Sequence, residues 1–119
     1  MTRMVKLYGS CAVLALQHAS GLEESQVIDI CKWHGFEWGE GMYIEDIHKA
    51  AREIGIKKRK VQMEKCTLRK FLKDYPTGLY LVCSWDHIFA VVNGGCINHP
   101  MQKPVGHRTM IVDAWRVNK

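Results

Sequence analysis

No apolar run in this chain approaches the roughly 20 residues that a membrane-spanning helix needs, and no repeat or low-complexity linker divides it. The expectation is one domain over residues 1–119, without a membrane as partner. A secretory signal is also missing. Arg3 and Lys6 are present, but the apolar stretch from Ala12 to Leu16 is too short for a signal core and no small-residue cleavage pattern follows. The cysteines do not make a disulfide framework: Cys11, Cys31, Cys66, Cys83 and Cys96 are odd in number and scattered, which fits a reducing compartment. A cytoplasmic location is therefore expected. Acidic residues are scarce in one segment. Between Lys49 and Lys73 ten Lys or Arg stand against Glu53 and Glu64 alone, whereas the rest of the chain has seven basic and ten acidic residues. A basic face follows. Lysines protecting an edge strand, next to a solvated helix, are the economical use of it. Attraction of an acidic protein or nucleic acid at Lys57, Lys58, Arg59 and Lys60 is the other.

What is present suffices for a closed core, since 47% of the 119 residues are hydrophobic. The order of elements is helices first and strands later, the pattern of an α+β domain. After an extended lead from Val5 to Tyr8, Gly9-Ser10 offers a turn and a cap for an apolar helix from Cys11 to His18, ended by Gly21. A second helix begins near Glu23 and Glu24 and stops at Gly35. A loop over Phe36 to Met42 leads to a third, from Tyr43 to Ile54 before Gly55. Ile56 to Met63 reads as a basic edge strand, Thr67 to Asp74 as a short capped helix, and Leu79 to Cys83 as the first central strand. Thr109 to Val117 reads as a last strand with Ile111, Trp115 and Val117 on one side, a face that Asp113 interrupts.

The stretch from Trp85 to His99 organises the rest. Ile88 to Val92 is a β-branched apolar run suited to a strand buried on both faces, and Asn93-Gly94 tolerates the positive φ of a tight hairpin. With a two-residue loop, Val92 faces Gly95 and Phe89 faces Asn98. His87 then shares a face with Asn98 at the diagonal distance of roughly 7–8 Å, which an imidazole and an amide can bridge. A three-residue loop would bring His99 to that face instead.

A cysteine in the first turn of a helix feels the partial positive charge of unpaired N–H groups, which lowers its pKa. With an imidazole beside it the thiolate is a nucleophile for acyl transfer, and an amide on the other ring nitrogen fixes the tautomer. Cys11, His87 and Asn98 would stand in that order. A lone helix cysteine before an apolar run is otherwise a buried core residue.

The run Gly9-Ser10-Cys11-Ala-Val-Leu-Ala-Leu-Gln-His-Ala-Ser-Gly-Leu, the later Gly41-Met-Tyr43-Ile-Glu-Asp-Ile, and His87-Ile-Phe-Ala-Val-Val-Asn-Gly with Asn98 resemble small papain-like cysteine peptidase domains of the bacteriophage-encoded kind. The chain is also distantly similar to the bacteriocin-processing peptidase domains of peptide exporters. The resemblance implies an α+β papain-like fold, with N-terminal helices packed on a C-terminal antiparallel sheet. It implies Cys11 as nucleophile, His87 as general base and acid, Asn98 as the orienting residue, a peptide or protein substrate, no cofactor, and a host-cytoplasmic setting. Papain-like enzymes usually carry a glutamine or asparagine shortly before the cysteine as oxyanion donor, and residues 1–10 contain neither. The second donor would come from Ser10, Tyr8, Lys6 or Thr2, and loss of one such donor typically costs ~10²–10³ in rate. A catalytically weak or inactive fold that binds a host or viral protein is therefore the alternative. His87, Gly94-Gly95 and His99 also faintly resemble NlpC-type cell-wall endopeptidases, which the internal location disfavours.

Cys31-x-x-His34 and Cys96-x-x-His99 share a spacing that zinc sites use, but Cys96 and His99 would point to opposite faces of a strand, so no metal is expected. His18 lies seven residues beyond Cys11, roughly 10 Å along a helix axis, and reads as structural, as does His48. His107 falls in a polar turn. Of the tryptophans Trp33, Trp38, Trp85 and Trp115, Trp85 is the expected cleft residue, standing two positions before His87.

Overall fold

Apolar residues recurring at helical spacing fold the first half of the chain into three helices, and β-branched runs fold the second half into a sheet. The computed structural model describes residues 6–7, 11–36, 42–85, 87–97 and 106–118. In chain order the elements are β1 (Lys6–Leu7), α1 (Cys11–Ser20), α2 (Glu24–Trp33), β2 (Met42–Tyr43), α3 (Ile44–Ile54), β3 (Lys57–Lys60) and β4 (Cys66–Thr67). They continue with α4 (Leu68–Asp74), β5 (Leu79–Cys83), β6 (Ile88–Val92), β7 (Gly95–Ile97), β8 (Met110–Ile111) and β9 (Asp113–Asn118).

The helix boundaries follow local chemistry. Glu23 and Gln26 form a reciprocal capping box at the start of α2, and Thr67 Oγ1 accepts from Lys70 N at 3.3 Å to cap α4. Tyr43, expected as the first helical residue of α3, is its extended N-cap instead. Gly55 ends that helix at φ 95°, with Ile56 N reaching back to Ala51 O at 2.9 Å and Gly55 N to Arg52 O at 3.1 Å.

Five strands form an antiparallel sheet in the order β3-β9-β5-β6-β7. The β6–β7 hairpin turns on Asn93 (φ 47°) and Gly94 (φ 81°), which puts Val92 opposite Gly95 as the two-residue loop requires. Asn93 also ties this turn to the start of β5, because Gly78 N donates to Asn93 Oδ1 at 2.9 Å.

The sheet buries both faces. On one, α1 lies along β6 and touches β5, and α2 packs against α1 and α3. Leu16, Val27 and Ile47 meet Leu81, Cys83, Ile88 and Ala90 there. On the other face, Leu68 and Phe71 of α4 meet Tyr80, Val82, Phe89, Val91, Ile111 and Ala114. Alternation along β5 and β6 divides their residues between the two cores, which is why Ile88 to Val91 reads as a continuous apolar run.

The tail departs from expectation. It is not one strand from Thr109 to Val117 but two, broken at Val112, whose N–H donates to Cys83 O at 2.9 Å. Ile111 pairs with Cys66 in a two-stranded β4–β8 ribbon and buries against α4, whereas Val117 and Trp115 pack on the helical face. The three residues therefore do not share a side, because the break at Val112 shifts the alternation. The basic strand is shorter than Ile56 to Met63, but β3 does lie at the sheet edge. The lead strand β1 pairs with β2, a long-range contact between two-residue strands that sequence periodicity does not register.

Candidate active site

Cys11 is the first residue of α1. Its side chain lies outside the described residues, as do Tyr8, Ser10, Asn98 and His99 in full. α1 packs against β6 and, less extensively, β5. Its C-terminal residues Ala19 and Ser20 line a cleft of about 390 Å³ with Ile54, Gly55, Ile56, Lys57 and Val117.

Ser84, Trp85 and His87 lie between β5 and β6. Ser84, a buried polar residue, donates from its N–H to His87 O at 2.8 Å and from its hydroxyl to the same oxygen at 3.3 Å, which closes the link between β5 and β6. The half-buried His87 ring stacks on Phe89, with centroids 5.6 Å apart and planes at 26°. Phe89 belongs to the core beneath α4, so the imidazole leans toward the face away from α1. Trp85 is exposed at 53%, and the Lys65 ammonium sits 4.5 Å from its ring centroid.

Of the other four cysteines, Cys31 and Cys83 are buried, and Cys66 and Cys96 are half-buried. Desolvation pushes the Cys31 thiol up to about 12 and raises Cys66 and Cys96 as well. Cys83 is fully buried and its Sγ donates to Ser84 O at 3.1 Å. The two Cys-x-x-His spacings do not converge. Cys31 packs in the core under the helices and Cys96 against the core under α4, while His34 Nε2 lies 3.3 Å from Glu53 Oε1. Among the described residues no group of three His, Cys, Asp or Glu is placed to hold a metal ion.

Of the remaining histidines and tryptophans, His18 and His107 are exposed, Trp33 is 81% exposed, and Trp38 lies outside the described residues. His48 on α3 stands edge-on to Trp115 at 4.7 Å, and its Nδ1 is buried with no hydrogen-bond partner. Burial, then the charges of Lys58, Arg52 and Lys60 against the opposing pull of Asp113, bring its pKa from 6.5 down to about 4. Between these values the unfolded chain takes up a proton that the folded protein refuses, so stability is full above pH 6.5 and falls as pH drops to 4. Because the ring is partly solvated, the loss is discounted to about 1–2 kcal/mol. Urea titrations at pH 7, 5 and 4 should show this loss in the native protein and its disappearance in His48→Leu. Equal pH slopes for the two proteins would remove His48 as the cause.

The described residues form an α+β domain in which Cys11 opens α1 and His87 directly precedes β6 of an antiparallel sheet. Compared with family models, curated proteins and solved structures, the chain matches none.

Proposed function

We propose that this protein is a papain-like cysteine peptidase of the bacteriophage-encoded kind, acting in the host cytoplasm on a peptide or amide bond. What supports the reading is a cysteine at the first position of α1 and a histidine directly before β6, the strand against which α1 packs. Cys11 is the nucleophile, His87 the general base and acid, and Asn98 the residue that orients it. The first-turn N–H groups of α1 supply positive potential to a thiolate and one donor to the developing oxyanion. Trp85 at the hairpin tip flanks the substrate cleft, and Ser10 or Tyr8 supplies the second donor. No helix among the described residues is long and apolar enough to cross a membrane.

The test is thiol reactivity. With Cys31 and Cys83 buried and desolvation raising the Cys31, Cys66 and Cys96 thiols, iodoacetamide at neutral pH should label Cys11 at least tenfold faster than any other site, and His87→Ala should slow it. Peptide mapping of the labelled protein decides the outcome. Uniform labelling, or labelling indifferent to His87→Ala, would leave Cys11 as a packing residue.

The lean of the His87 ring onto Phe89 favours a second reading, a catalytically weak or inactive papain-like fold that binds a host or viral protein. In that case recognition survives Cys11→Ala.

A further inference from the structure

Independent of the cysteine site, a cleft of about 480 Å³ opens between α3 and the edge strand β3, lined by His48, Arg52, Ile56, Lys57, Lys58 and Arg59. This volume falls in the range of small-ligand sites. Among the described residues its lining carries four cationic side chains and no carboxylate. Of the nearby described acids, Glu53 lies against His34 at 3.3 Å, and Asp113 lies 3.5 Å from Lys60 while its charge also acts on His48. Like charges placed together cost folding free energy, and burial compounds that cost. Both effects fall on Lys58, whose pKa is lowered first by desolvation and then by the Arg52 charge.

Edge protection accounts for exposed Lys57, Arg59 and Lys60, since a charge on an edge strand blocks pairing with another chain. Lys58 differs from them: it is half-buried and leans inward, with its ammonium 5.8 Å from the Trp115 ring centroid. The macrodipole accounts for a cation in the last turn of α3, but not for Arg52 lining one cleft with Lys58. An anion seated between the two relieves the repulsion. A guanidinium fork beside an ammonium suits the several acceptor oxygens of a phosphate group.

We propose that this cleft is a phosphate-binding site, with Arg52 and Lys58 holding the phosphate oxygens and Lys57 and Arg59 at its mouth. The phosphate belongs either to a small phosphomonoester or to the phosphodiester backbone of nucleic acid, and the two sources are separable. The full-length chain is titrated with inorganic phosphate, with adenosine monophosphate and with a fluorescein-labelled oligothymidylate, followed by amide chemical shifts or anisotropy. The Arg52→Gln/Lys58→Gln variant should bind about tenfold or more weakly, with a smaller salt slope. Lys70→Gln/Lys73→Gln, on α4 across the sheet, should change binding less than about twofold. Arg52→Lys/Lys58→Arg should retain binding, which separates lost charge from lost fold, and matched unfolding midpoints check the same point. A loss seen with phosphate and the mononucleotide assigns a free phosphate group, and a loss seen only with the oligonucleotide assigns the backbone. Failure of all three probes to bind, or equal weakening by the α4 variant, would overturn the site.

Discussion

Replacing Cys11 with alanine is expected to remove hydrolysis of fluorogenic peptide amides almost entirely, by ~10⁴-fold or more, and His87→Ala should do nearly the same. Both residues act in one proton-transfer and bond-forming unit, so losing either disables the whole, and the double variant should be little worse than either single one. Asn98→Ala should cost less, because an orienting amide fixes the imidazole without touching the reacting bond. Native turnover should itself be slow. Residues 1–10 offer no glutamine or asparagine to the oxyanion, so a hydroxyl of Ser10 or Tyr8 takes that place, and a poorer donor moves the rate toward the ~10²–10³ loss of a missing one while leaving recognition of the peptide intact. The order of the losses decides between the readings. Suppose Cys11→Ala leaves the biological effect intact while charge reversals at Lys57, Lys58, Arg59 and Lys60 abolish it. The basic face then carries function, and the protein is a binding module on a peptidase-like scaffold.

Phe71→Ala is expected to destabilise the fold by about 3–5 kcal/mol. Phe71 is fully buried under the sheet, with the Tyr75 ring centroid 4.9 Å away and the Tyr80 ring at 5.5 Å in an edge-on arrangement. Removing it deletes apolar burial and two aromatic contacts at once. The helix that carries it is only seven residues long, too short to persist without docking, so Leu68 and Phe71 hold α4 in place as well as filling the core. Urea unfolding should show a lower midpoint with little change in slope. Lys70→Ala, one position away on the solvent side, where Lys70 Nζ reaches Asp74 Oδ2 at 3.0 Å, should leave the unfolding midpoint nearly unchanged. A Phe71 loss no larger than that of Lys70 would show that α4 does not complete the second core.

Much of the fold was legible from local chemistry. Glycines at 21, 35 and 55 and the cap at Thr67 mark helix ends because those signals act over one turn of chain. Asn93-Gly94 set the β6–β7 register because few residue pairs adopt two consecutive positive φ values cheaply. The basic segment and its edge position were readable for the same reason, since charge is tolerated where strand groups face water.

The tertiary structure alone decided which face each residue serves. Periodicity placed Ile111 with Trp115 and Val117, but the Val112–Cys83 hydrogen bond breaks the strand and sends Ile111 to the opposite core. Cys31 and Cys96 share a spacing with their histidines yet lie across the sheet from one another. Lys58 became part of a cleft only when β3 paired with β9 beside α3. The stacking of the His87 ring on Phe89 was likewise settled only by the fold. The physical reason is range. Caps, turns and strand propensity are settled among residues a few positions apart, but a strand's two faces are equivalent until distant segments pack on them, and that choice is made by contacts the local sequence does not contain.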